Sequence, residues 1–71
     1  MTIPETAVFF EILDLRTGDT LAAYERPEEA EAALVGMVDD SPAEAQFLCM
    51  TFFDKRGVAI GSRLATELTA A

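Results

Sequence analysis

Two stretches, Ala7–Leu15 (AVFFEILDL) and Gln46–Asp54 (QFLCMTFFD), are apolar at both odd and even positions. Successive side chains of a strand point to opposite faces, so each stretch reads as a strand with two apolar faces. One amphipathic helix lies between them. A single helix covers one face of a small sheet, so the other face has to meet something else. That requirement constrains the chain more than any motif does.

The helix opens at Pro27, where proline loses no hydrogen bond and already has the right φ. Glu28, Glu29 and Glu31 fall in the first turn, where the helix dipole favours negative charge. Ala30, Leu34, Met37 and Val38 recur at i, i+4, i+7 and i+8, with Ala33 beside them, and form the inward stripe. Ala32 and Val35 fall on the outside. Arg26 occupies the N-cap position without a short polar acceptor. Gly36 lowers helix propensity and offers a close approach to the sheet. Asp39-Asp40-Ser41-Pro42 ends the helix, and Ser41-Pro42-Ala43-Glu44 has the spacing of a capping box for one further short turn.

Turn chemistry supplies the remaining elements. Arg16-Thr17-Gly18-Asp19 leads into Thr20–Glu25 (TLAAYE), a return strand of small residues suited to an edge. Asp54-Lys55-Arg56-Gly57 leads into a fourth strand, Gly57–Leu64. Residues 1–6 are expected to fray. So are residues 66–71, unless the tail from Ala65 forms a weak helical turn through Leu64 and Leu68. The order is β-β-α-β-β: one small α+β domain spanning residues 1–71, a four-stranded, mainly antiparallel sheet with one helix on one face. The two richest strands belong in the centre, which predicts the order 2-1-3-4. A parallel pairing of strands two and three across the helix is the alternative.

A 71-residue domain has a thin core, and such domains lean on disulfides, metals or oligomerisation. One cysteine and no histidine exclude an intramolecular disulfide and a zinc site. Cys49, inside FLCMTFF, reads as a buried structural thiol with no base to activate it. Oligomerisation remains. Phe9, Phe10, Phe47, Phe52 and Phe53 cannot all lie under one helix, and each buried ring brings ~150–250 Å². Two or three rings left on the open face exceed what soluble monomers usually expose. The expected partners are therefore a second copy, through the open face or an edge strand, or another protein. The candidate contact residues are Phe9, Phe47 and Phe53 on the sheet, and Glu28, Glu29, Glu31 and Val35 on the helix.

The net charge of −8, from 13 acids against 5 bases, repels phosphate backbones and argues against direct nucleic-acid binding. Asp39, Asp40 and Glu44 lack the ordered spacing of a calcium loop. Glu11 and Asp14 differ in parity and do not share a strand face. No catalytic, cofactor-binding or metal-ligating residues are expected, and the chain is not expected to be an enzyme. It has no basic leader before an apolar segment and no apolar run of ~20 residues, so a cytoplasmic protein without a membrane span is expected. The alternative function is an acidic inhibitor that imitates nucleic acid, of the phage-encoded kind that blocks bacterial defence or nucleic-acid-handling proteins. Glu28, Glu29, Glu31, Asp39 and Asp40 would supply its row of charges along the helix.

The run FFEILDLRTGDTLAAYERPEEAEAALVGMV resembles the start of a family of small ββαββ proteins of unknown function common in actinobacteria. Asp14, Leu15, Thr17, Gly18, Tyr24, Glu28, Glu29, Ala30, Ala33 and Leu34 carry the resemblance, which extends from about Phe9 to Leu64. It implies a bacterial chain with this fold and brings no catalytic residues. Arg26-Pro27 and the apolar second hairpin depart from the family's pattern.

Overall fold

The computed structural model describes residues 3–69. The chain runs β1 (Phe9–Asp14), β2 (Thr20–Tyr24), α1 (Pro27–Asp40), a 3₁₀ helix (Pro42–Phe47), β3 (Leu48–Phe53), β4 (Ala59–Leu64) and α2 (Ala65–Thr69). The sheet order is β2-β1-β3-β4, and every neighbouring pair is antiparallel. The expected order and fold class are therefore present, and the parallel alternative is not. The central register pairs Phe9 with Phe53, Phe10 with Phe52, Glu11 with Thr51, Ile12 with Met50 and Leu13 with Cys49.

That register divides the two apolar strands into two faces. Phe10, Ile12, Leu48, Met50 and Phe52 point to the helical side and are buried, with Ala30, Leu34 and Ala65 against them. The Phe10 and Phe52 rings meet edge to face, with centroids 6.1 Å apart. α1 buries Ala30 and Leu34 and packs Ala33, Met37 and Val38 on the same core, as its periodicity requires. Arg26 holds the N-cap position without a side-chain cap bond, and Pro27 starts the helix.

Several elements differ from the sequence pattern. The helical layer has three pieces rather than one, because the 3₁₀ helix and α2 pack beside α1. β3 starts at Leu48, since Gln46 and Phe47 close the 3₁₀ helix, and Ala7 and Val8 lie ahead of β1. Of the segments expected to fray, Ile3 packs against the core, and the tail takes its helical alternative with Ala65 fully buried. Residues 1–2 and 70–71 lie outside the described residues. Gly36 is exposed and a Cβ there would touch nothing, so it makes no close approach to the sheet. The capping box is also not made. Ser41 gives no side-chain cap, and the backbone N–H of Glu44 bonds the Ser41 carbonyl (2.9 Å) while its carboxylate goes elsewhere.

Both hairpins turn by the same local chemistry. The backbone N–H of Arg16 donates to Asp14 Oδ1 (2.8 Å), and that of Arg56 to Asp54 Oδ1 (2.9 Å). Gly18 and Gly57 then take φ of 77° and 79°, a region that strains residues with a Cβ. Each return strand carries an irregularity, at Leu21 in β2 and at Ile60 in β4, which bends the exposed edges.

Candidate interaction surface

Among the described residues no element covers the face of the sheet opposite the helices. Its spine is the odd-numbered pairs of β1 and β3. At one end the Phe9 and Phe53 rings pack edge to face, with centroids 5.9 Å apart. Glu11 and Thr51 pair in the middle, followed by Leu13 with Cys49. Beyond the strands the N–H of Leu15 donates to the carbonyl of Phe47 (2.7 Å), which continues the same register. β2 adds Ala23 beside Glu11, while β4 adds Ser62 beside Thr51 and Leu64 beside Cys49. Phe9, Leu13, Phe47 and Phe53 are half-buried by these neighbours alone. Leu15 is 52% and Leu64 36% exposed. A shallow groove of ≈ 600 Å³ runs along the Phe9–Phe53 end, with Glu11, Glu25, Asp54 and Lys55 around it.

The far end is pinned by Arg16. Its guanidinium donates to Asp14 Oδ2 (2.9 Å) and Glu44 Oε2 (2.9 Å) and lies 4.6 Å from the centroid of the Phe47 ring. This ties the first turn to the 3₁₀ helix and sets Phe47 on the open face. Asp14-x-Arg16 is visible in the sequence as turn chemistry, but nothing there points Glu44 at Arg16.

The same contacts set the local titration. The side-chain bond from Arg16, followed by its backbone N–H, holds the Asp14 carboxyl below its ordinary 3.8. The backbone N–H of Val58 holds Asp54 below 3.8, with Arg56 adding to it. Arg16 is raised by Asp14 and Glu44. For both aspartates the folded state binds protons more weakly than the unfolded state. Their stabilisation is thus complete above the unfolded value and disappears as pH falls through the lower, folded value. Urea midpoints should therefore be insensitive to these two groups above about pH 4 and should drop below it. Asp14→Asn with Asp54→Asn should flatten that acid limb, and an unchanged limb in this variant would refute the assignment.

The sequence-derived contact residues fall on two separate surfaces. Phe9, Phe47 and Phe53 lie together on the open sheet face. Glu28, Glu29 and Val35 are exposed on α1, on the opposite side of the molecule, and Glu31 is half-buried beside Ile3, Pro4 and Pro27. The acids of α1 stand in two groups, Glu28, Glu29 and Glu31 at one end and Asp39 and Asp40 at the other. Seven residues without a carboxylate, Ala32 to Val38, separate them. At 1.5 Å per residue the gap is roughly 12 Å, whereas one DNA strand presents a charge about every 3.4 Å. Leu13, Leu15 and Leu64 also belong to the open face, and strand parity identifies the first two.

Among the described residues no group of three potential metal ligands converges, and no helix is long and apolar enough to cross a membrane. No family model, curated protein or solved structure matches the chain.

Proposed function

We propose that the chain is a cytoplasmic, non-enzymatic protein-interaction module that forms a homodimer through its open sheet face. The observation that carries this is the column Phe9/Phe53, Leu13/Cys49 and Leu15/Phe47, in which Cys49 alone is buried and over which no element among the described residues packs, on a sheet whose other face holds the buried core.

Three features favour a second copy as the occupant. The molecule measures 34 × 27 × 16 Å, a two-layer slab whose broad side is the sheet. That side has room for the ~800 Å² per partner of an ordinary stable interface. Seven of the 13 acids also lie on the helical layer. Glu28, Glu29, Glu31, Asp39, Asp40, Glu44 and Glu67 sit on the helical elements, so face-to-face pairing keeps most of each copy's −8 charge on the outside of the dimer. The face further offers two apolar ends with aromatic and aliphatic side chains that interdigitate in an aligned sheet packing at ~10 Å separation. The acidic helical surfaces then face outward and are available to other proteins.

Concentration-dependent amide spectra test the placement. Dilution should shift the signals of Phe9, Leu13, Thr51 and Phe53 and leave those of Glu28, Ala32 and Val35 in place. Shifts confined to the helix would move the interface to the other side of the molecule.

A further inference from the structure

We propose that Glu11 makes association acid-favoured: charged, it opposes closure of two open faces, and uncharged, it permits it. This rests on the face-to-face dimer above and adds its regulation.

Glu11 stands in the cross-sheet row Ala23–Glu11–Thr51–Ser62, midway between the two apolar ends of the face. It is the single carboxylate on the β1–β3 spine, and among the described residues no element packs over it. Thr51 lies beside it from β3. Glu25, next after β2, and Asp54 and Lys55 in the β3–β4 turn line the same groove. The surroundings of Glu11 therefore contain two further carboxylates, of which Asp54 is paired with Arg56, and one lysine. Among the described residues the ion pairs are Arg16 with Asp14 and Glu44, and Arg56 with Asp54, and none reaches Glu11.

On the free chain this half-buried carboxylate still reaches water. A second copy removes that water, and burying an unpaired charge is costly. An isologous interface contains the same patch twice, so it covers two such carboxylates at once, and near the axis they also repel. Taking up a proton on each removes both penalties and leaves a carboxyl able to donate to a hydroxyl such as Thr51. The device therefore couples dimerisation to proton uptake at the centre of the interface.

Sedimentation equilibrium of the full chain at pH 7.5 and 5.5 tests this with wild type, Glu11→Gln and Glu28→Gln. The last removes the same charge from the helical side. Wild type should dimerise about tenfold or more tightly at pH 5.5, since a roughly hundredfold gain in proton affinity at each of the two sites on association, starting from the ordinary carboxyl range, strengthens the pH 5.5 dimer by at least about tenfold. Glu11→Gln should match or exceed the acid affinity already at pH 7.5 and show little pH dependence. Glu28→Gln should keep the wild-type dependence. A Glu11→Gln dimer with the full wild-type pH dependence, or a wild type that does not respond to pH, overturns the role of Glu11 and leaves the dimer standing. If neither wild type nor Glu11→Gln associates at either pH, the open-face dimer itself is overturned, and this proposal with it.

Discussion

Phe52→Ala leaves the chain largely unfolded at room temperature. Phe52 is fully buried between the sheet and the helical layer. Its ring meets Phe10 edge to face, and its Cδ2 lies 3.7 Å from where a Cβ on Gly61 would stand. Truncating a buried phenylalanine costs about 3–5 kcal/mol, from lost transfer energy and the cavity left behind. A single core in a chain this short rarely supplies more than about 3–5 kcal/mol of net stability. The core has few other large members, Phe10, Ile12, Leu34 and Met50, to close the gap. Circular dichroism and urea melts should show most of the cooperative transition gone. Val35→Ala, at a position 44% exposed, should move the midpoint little. A Phe52→Ala chain with the wild-type midpoint would mean that the buried layer has been placed on the wrong side of the sheet.

Strand parity made this layer legible. Once Phe9 and Phe10 sit on one strand they point to opposite faces, and the spacing of Ala30, Leu34, Met37 and Val38 supplies enough helix for one face only. The antiparallel register followed from two hairpins with the rich strands in the centre. The ends were less legible, because short-range rules compete there. Ser41 to Glu44 has capping spacing, yet the Glu44 carboxylate finds the Arg16 guanidinium across the fold, a contact between residues 28 apart in sequence. Gln46 and Phe47 continue an apolar run, yet they close a 3₁₀ helix that Pro42 starts. The tail has weak helix propensity, and α2 persists because Ala65 is buried and Leu68 packs on the core. For the candidate surface, strand parity put Phe9, Phe47 and Phe53 on one face. The place of Glu11 in the middle of the face needed the cross-strand register.

Phe9→Ala with Phe53→Ala abolishes the dimer and leaves a folded monomer. The two rings pair across the central strands on the open side and are only half-buried in the single chain. Their removal therefore exposes less of the monomer's own core than loss of Phe52 does. In the dimer they form one of the two apolar ends, where aromatic anchors typically contribute ~2 kcal/mol or more each when truncated. Isologous pairing counts every substitution twice, so loss of four rings weakens association by several orders of magnitude. The variant should keep the wild-type far-ultraviolet spectrum and a cooperative urea transition. Losing the fold along with the dimer would instead make the open face part of the obligatory core of each chain.

The most direct measurement is solution mass by light scattering, for wild type and this double variant, over a dilution series from roughly 1 mM to 1 μM, a range that spans ordinary dimer affinities. The face-to-face dimer predicts twice the 7.7 kDa chain mass for wild type at the concentrated end and 7.7 kDa for the variant throughout. A wild type that stays at 7.7 kDa at every concentration, or a variant that dimerises as wild type does, would contradict it.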